Sequence, residues 1–391
     1  MPAISPGYCS ASTTTGGAWS PTDAVRVLLL SAYAAQSHRY WQRGLQQMFP
    51  HWQWSVLSLP PRHFSWRVRG NPLYWGLAER QALEQNQQLL IATSMVDLAT
   101  LRGLVPALAA IPSVLYFHEN QFAFPQHRQR HGLLEAQMVS LYGALAADTL
   151  AFNSAFNRDS FLEGCESLLT RLPDFVPPGI VEGLRNKARV LPVPLQPMKA
   201  EEPWGWRPDL SLRIIWSARF EHDKGGEALY LILQRLEQAE LDYQLAVTGQ
   251  QFRNSPSVFS RIREEFAHRL VQFGFVDAES QYRSLQAGAD LVLSTAAHEF
   301  QGLAVMEAVA AGCVPVVPDR LAYRELYPED FRYASSPQQP EAEADSAVAL
   351  IRQVAAEKPS PPDMGRYTLT ALQPAYEALL HAVQDSQPLP S

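Results

Sequence analysis

The sequence predicts an α/β protein made of two Rossmann-like halves facing each other across a cleft. Three observations predict it. Short apolar runs, such as Val25 to Leu30 and Leu212 to Trp216, alternate with longer helical patterns, as in buried parallel strands joined by crossovers. A Pro- and Glu-rich stretch, residues 196–210, separates two such series and reads as a linker. From Leu291 to Asp319 the chain spells out one βαβ unit: an apolar run, a polar loop, an Ala-rich segment closed by Gly312, and the run Cys313 to Val317 stopped by Pro318. The expected divisions are a disordered leader over 1–24, a first half over 25–207, a second over 208–355, and a closing helix and tail over 356–391.

Composition bounds the function. The 391 residues suffice for two domains, and 47% hydrophobic with 18% charged residues describes a globular chain. No apolar run is long enough for a membrane span. A net charge of −7 excludes a surface that is basic throughout, though not a local basic patch. Cys9, Cys165 and Cys313 have neither metal nor redox spacing, so a reduced, cytoplasmic setting is expected.

In the first half, the strand Val25 to Leu30 opens into a loop of small residues that leads to Ser37, His38 and Arg39 at a helix start. A lone His there is more often a cap than a catalyst, so Ser37 and His38 are only candidate ligands. The strand Trp52 to Leu59 precedes a predicted loop, Pro60 to Pro72, that interleaves Arg62, Arg67 and Arg69 with His63, Phe64 and Trp66. Arginine among aromatics suits phosphates and unpaired bases; aromatics in a loop can equally be core. Strands Leu89 to Ala92 and Val114 to Phe117 follow. The second delivers His118, Glu119, Asn120 and Gln121 to the carboxyl edge, where four polar side chains can serve acid–base and hydrogen-bonding roles. A helix over 131–147, a strand Thr149 to Phe152, the Asn153-Ser154 cap and a segment Lys187 to Leu191 leading into Pro192, Pro194 and Pro197 complete this half.

The second half restarts at Leu212 to Trp216. The loop from Ser217 carries Arg219 and Lys224, two cations at a tight turn before a helix and well suited to a diphosphate. Strand Tyr243 to Val247 ends at Gly249. Strand Leu270 to Phe273 is followed by Phe275 and Val276, which could sandwich a base. In the βαβ unit, the loop Glu299-Phe300-Gln301-Gly302 opens the helix at Leu303, whose free N–H groups and dipole favour an anion. Glu299 and Glu307 frame that site. A carboxylate beside a phosphate needs another partner, and sugar hydroxyls are the natural one. Either Glu alone reads as a cap or a solvated residue; the pair around Gly302 reads as two sugar-ring contacts. Beyond Pro328 the pattern weakens: residues 335–346 read as loop and Leu369 to Val383 as an amphipathic helix.

The segment EFQGLAVMEAVAAGCVPV resembles the donor-site motif of retaining GT-B glycosyltransferases of family 4. The segments LLLSAYAAQSHRYW, LSLPPRHFSWRVRGNPLYW, ATSMVDLATLRGL, YFHENQFAFP, AFNSAFNRDSFL and ARFEHDKGG resemble, in order, the tRNA-queuosine mannosyltransferase family, over roughly residues 25–330. The resemblance implies a GT-B fold and transfer of mannose from GDP-mannose to queuosine at the tRNA wobble position. It implies that Glu299 contacts the donor sugar, that Glu307 holds the ribose, and that Gly302 and Leu303 meet the diphosphate. With Arg219 and Lys224 at the leaving group and no carboxylate pair placed as a metal clamp, neither metal nor cofactor is expected beyond the nucleotide-sugar co-substrate. The partners expected are GDP-mannose and queuosine-containing tRNA, and no protein partner is inferable. The rival readings are a family 4 enzyme with another nucleotide sugar and a lipid or saccharide acceptor, and a non-catalytic tRNA- or nucleotide-binding protein. A Rossmann dehydrogenase is disfavoured because no G-x-G-x-x-G follows Leu30.

Overall fold

A computed structural model describes residues 24–123, 132–197, 202–209 and 211–385. The expected leader lies, except for Ala24, outside the described residues. Among the described residues, twelve strands form two parallel sheets. The first holds β1 (Arg26–Ser31), β2 (Gln53–Ser58), β3 (Leu89–Thr93), β4 (Ser113–Phe117), β5 (Thr149–Phe152) and β6 (Ala188–Val190), in the order β2-β1-β3-β4-β5-β6. The second holds β7 (Leu212–Ser217), β8 (Tyr243–Thr248), β9 (Leu270–Gly274), β10 (Leu291–Leu293), β11 (Val314–Pro318) and β12 (Arg332–Tyr333), in the order β12-β11-β10-β7-β8-β9. Helices cover both faces, which is why β1, β3 and β8 read as near-continuous apolar runs. Two Rossmann-like α/β units facing one another are the architecture expected.

In each sheet the strand order reverses once, between β1 and β3 and between β7 and β10, and ligands of open α/β sheets bind at such a point, beyond the carboxyl ends of the strands. The loops after β7 and β10, carrying Arg219, Lys224 and Glu299, meet there.

Two expectations are corrected. The stretch Pro60 to Pro72 is not all loop: a helix runs Phe64–Ala78 and contains Pro72. Proline removes the N–H that would bond to the carbonyl of Val68. The buried Asn71 side chain takes over, its Nδ2 donating to the carbonyls of Val68 at 3.0 Å and Arg67 at 2.8 Å. The proposed loop over 335–346 gives way to a helix, Pro340–Glu357. Pro340 begins it, Glu341 and Glu343 occupy its first turn, and Ala344, Ala347, Val348, Ile351 and Val354 recur at helical spacing against the second sheet.

The closing helix, Leu369–Asp385, packs on the first half. Tyr376, Leu380 and Val383 are buried with Trp41, Tyr116 and Leu29, and Trp41 Nε1 donates to the Tyr376 hydroxyl at 3.0 Å. Among the described residues, no helix is long and apolar enough to cross a membrane. Cys165 and Cys313 are free and buried.

Candidate active site

The second half builds its site from two loops locked to each other. The Asp223 carbonyl accepts from the N–H groups of Ala297 and His298, at 2.9 and 3.1 Å. Thr295 Oγ1 donates to the Lys224 carbonyl at 2.9 Å and accepts from Trp216 Nε1 at 2.9 Å. Gly225 is required at this crossing: φ is +72°, and a Cβ would lie 1.9 Å from the Thr295 carbonyl oxygen. At the mouth, Lys224 Nζ sits 3.0 Å from Glu299 Oε2 and 3.0 Å from the His298 carbonyl, with Asp223 at 3.4 Å. Burial opposes the charge on Glu299. The Lys224 ammonium and the N–H groups of Gly302 and Gln301 outweigh it and hold the carboxyl at about 2. Burial likewise opposes the charge on Lys224, and Glu299 and Asp223 raise its pKa above the ordinary value.

Gly302, at φ +73°, opens the helix Leu303–Ala310 with its Cα against the ring of Tyr323. A small pocket under this helix start is lined by Ser217, Lys224, Ser294, Glu299, Gly302 and Tyr323, among others. The Ser217 hydroxyl lies 2.7 Å from Thr248 Oγ1. Gly249 lets the loops after β7 and β8 touch, since a Cβ there would lie 1.7 Å from the Ala218 carbonyl oxygen. Phe275 is half exposed beyond β9, while Val276 packs into the core. Glu307, one helical turn in, is partly exposed. Burial lifts it to about 7, against the pull of a Tyr40 hydrogen bond and of Arg283.

The first half brings two imidazoles to the cleft. His38 and His118 stack with centroids 4.1 Å apart and planes at 19°, and Trp41 meets His118 edge-on. Burial, then the nearby Arg219 charge, lowers His38 to about 3; burial, then His38, takes His118 well below its ordinary value. Both rings are therefore neutral at pH 7. His38 Nδ1 and His118 Nε2 are buried without a hydrogen-bond partner. Arg219 faces this pair from the second half, 3.0 Å from Glu221, and feels the charges of Glu119 and Glu299.

Several expected ligands are committed elsewhere. Asn120 Nδ2 donates to Asn157 and Ser160, and its Oδ1 accepts from the N–H groups of Phe122 and Ala123, so it organises its own loop rather than facing the cleft. Gln121 is buried. Arg69 pairs with Asp97 at 2.7 Å, and Phe64 packs on Tyr33. Arg62 and Trp66 remain towards solvent, as does Ser37, whereas Arg67 is half-buried and its Nε donates to the Pro60 carbonyl at 3.3 Å. The Gln301 side chain is bound to Val193 of the first half, which leaves only its backbone for a ligand, and Phe300 is buried against His298 and Phe156. The sequence reading missed Ser294, Thr295, Tyr323 and Tyr40. Ser294 and Thr295 open the polar loop of the βαβ unit itself, whereas Tyr323 and Tyr40 meet partners distant in sequence, Ser294 and Gln196.

Two facing Rossmann-like units, each with a parallel six-stranded sheet, form the GT-B architecture of glycosyltransferases. Residues 205–369 match the model of glycosyl transferases group 1, and residues 26–195 match the tRNA-queuosine alpha-mannosyltransferase N-terminal model. Among solved structures, a sucrose-phosphate synthase from Thermosynechococcus elongatus superposes with a TM-score of 0.62 at 16% identity, over 92% of this chain and 96% of that one. HepE of Anabaena, in complex with UDP and glucose, gives 0.60 at 13% identity, over 92% and 100%. The tRNA-queuosine alpha-mannosyltransferase of Drosophila melanogaster is 33% identical over 318 residues, covering 79% of this chain and 84% of that protein. The chain belongs to the tRNA-queuosine alpha-mannosyltransferase family.

Proposed function

We propose that the protein transfers mannose from GDP-mannose to the queuosine base at the wobble position of tRNA, in the cytoplasm, with retention of configuration and with no metal or further cofactor. The observation that carries the reading is the Lys224–Glu299 pair at the start of the helix Leu303–Ala310, in a chain of this family.

In this reading the bond between the sugar C1 and the diphosphate oxygen breaks. The charge that develops on the departing oxygen is met by Arg219, Lys224 and the N–H groups of Gly302 and Leu303. Lys224 is held charged by Glu299, so it is ready without reorganisation. Glu299, ionised throughout the physiological range, accepts hydrogen bonds from sugar hydroxyls. A hydroxyl of the cyclopentene diol forms the new bond on the face the leaving group vacates, and its proton passes to the leaving phosphate oxygen. Neutral His118, beside Glu119, hydrogen-bonds sugar or acceptor hydroxyls and does not act as a cation. Ser217 and the Gly249 turn border the nucleotide, whose base packs on Phe275 and Val276. Ser37, His38, Arg62, Trp66 and Arg67 offer contacts for the tRNA.

The test is mass spectrometry of nucleosides from queuosine-containing tRNA incubated with the protein and GDP-mannose, with UDP-galactose and UDP-glucose in parallel. A hexose on queuosine from GDP-mannose alone is expected. A hexose from a UDP-sugar would overturn the donor, and hydrolysis of one donor without modified tRNA would overturn the acceptor.

A further inference from the structure

Eight of the twelve large apolar side chains that stand exposed among the described residues lie on three helices of the first half. These are Phe64–Ala78, Leu98–Leu104 and Leu133–Ala146, and they pack against one another. The first buries Val68, Asn71, Pro72 and Trp75. Its opposite side carries Leu73 and Leu77, with Tyr74 beside them, so it is apolar on both sides. The third reads LLEAQMVSLYGALA, with a single charge. It buries Val139, Leu141 and Ala144, while Tyr142 and Leu145 face solvent. A helix that is apolar all round normally has both sides covered.

Leu104 joins the two exposed stripes into one surface. A Cβ at Gly76 would lie 3.3 Å from its side chain, and Arg80 Nη1 donates to its carbonyl at 3.3 Å. Arg102, two residues earlier, donates to the carbonyl of Ala146 at the end of the third helix. Beyond Leu104, Pro106, Ala107, Ala109 and Ala110 are exposed and add no charge.

We propose that this surface, formed by Leu73, Tyr74, Leu77, Leu104, Tyr142 and Leu145, is where two copies of the chain meet in a two-fold dimer. The six side chains are 39 to 66% exposed. At roughly 100 Å² for each half-exposed large side chain, these six and the small residues beside them approach the ~800 Å² that one partner gives to a standard interface. An ordinary monomer leaves open a largest apolar patch of only about 300–600 Å².

The charges select the partner. Cations bordering the surface are committed inside the chain: Arg80 to Glu84 at 2.8 Å, Arg102 to Asp148 at 3.5 Å, and Lys187 to the carbonyls of Leu145 and Ala147 at 3.2 and 2.6 Å. An RNA backbone or an anionic membrane needs such cations to meet its phosphates. An apolar surface edged by balanced ion pairs matches a second copy of itself. The ends of the stripe also differ in sign. Half-exposed Arg69 lies at its amino end, and Glu79 and Glu84 lie past its carboxyl end. Two stripes laid antiparallel across a two-fold axis set the basic end of each against the acidic end of the other. The dimer is independent of the reading of donor and acceptor given above.

The experiment is sedimentation velocity of the full chain from about 0.1 to 50 μM, a range over which a dimer of ordinary affinity dissociates. The variants are Leu77→Glu, Tyr142→Glu and, as a control on an exposed side chain outside the surface, Phe175→Glu. The native chain and Phe175→Glu are expected to be dimers in the upper part of that range. Leu77→Glu and Tyr142→Glu should each weaken the dimer at least about a hundredfold, because a two-fold axis counts every substitution twice. Both should melt near the native temperature when all are compared as monomers. A native chain that stays monomeric throughout overturns the proposal, as does a dimer that both variants leave intact. Cosedimentation of the native monomer with phosphatidylserine vesicles, lost in Leu77→Glu, would give the surface to a membrane and overturn it as well. Loss of tRNA binding in both variants, with the native chain monomeric, would give it to RNA with the same result.

Discussion

Gln301 and Val193 exchange two hydrogen bonds: Val193 N–H donates to Gln301 Oε1 at 3.0 Å, and Gln301 Nε2 donates to the Val193 carbonyl at 2.9 Å. They stand 108 residues apart in the chain, and the side chain mimics a strand partner for the segment that leaves the first half. Gln301 also precedes Gly302, so the loop that opens the helix Leu303–Ala310 is fastened to the opposite half.

Gln301→Ala leaves the N–H and carbonyl of Val193 buried without partners. A loss of about 2–4 kcal/mol of stability is expected, read as a fall of several degrees in melting temperature. Glutamate is no rescue, because a carboxylate cannot donate to the Val193 carbonyl.

Lys224→Met removes the ammonium from Glu299 and from the departing phosphate together. Turnover should fall about 10²- to 10³-fold, while tRNA affinity in a filter-binding assay stays within about twofold. Arg219→Ala should behave in the same way. Equal losses of turnover and tRNA affinity would remove both residues from the leaving-group role.

Glu307 sits at about 7 in the folded chain, above the ordinary carboxyl value of 4.5. The native state therefore holds its proton more tightly than the unfolded state. The stability this gives is complete below about pH 4.5 and is lost as pH rises through 7. Glu307→Gln should therefore melt higher than the native chain at pH 8, by about 1–2 kcal/mol after allowance for solvent screening. The gap should close near pH 4.5, even though nucleotide binding is impaired at both values.

The stacked His38 and His118 carry the opposite sign. Their folded pKa values lie below the ordinary 6.5, so they stay neutral in the native state and protonate on unfolding. Their contribution is present above about pH 6.5 and falls with acid by up to about 1.4 kcal/mol per pH unit for each ring. NMR of histidine-labelled protein should show the ring signals of His38 and His118 titrating well below the ordinary histidine range, each removed by His38→Asn or His118→Asn.

The sequence made the second half legible where one short stretch contained both the strand pattern and the polar loop. Leu291 to Val317 is such a stretch, and the Lys224 and Glu299 loops meet because β7 and β10 are neighbours. The helix Phe64–Ala78 was hidden by Pro72, a helix breaker whose orphaned carbonyl is repaired by Asn71, and that repair cannot be read from composition. The helix Pro340–Glu357 was hidden by its Pro, Gln and Glu content, although Pro340 and the two acidic residues behind it are start signals. Asn120 looked like a ligand because polarity after a strand does not reveal which way an amide is satisfied. The Gln301 side chain acts across the cleft on Val193, 108 residues away, and Tyr40 binds Gln196, 156 residues away, both beyond the reach of local pattern.

The return of the helix Leu369–Asp385 to the first half has a consequence for synthesis. Tyr376, Leu380 and Val383 fill the same core as Leu29, Trp41 and Tyr116, so the first sheet is sealed by a helix made only after the whole second sheet. While the ribosome is still translating the second half, the first carries an open apolar groove where that helix will dock. Shielding of that groove by a chaperone, until about residue 383 has left the exit tunnel, would decide how much of the newly made chain reaches the native state.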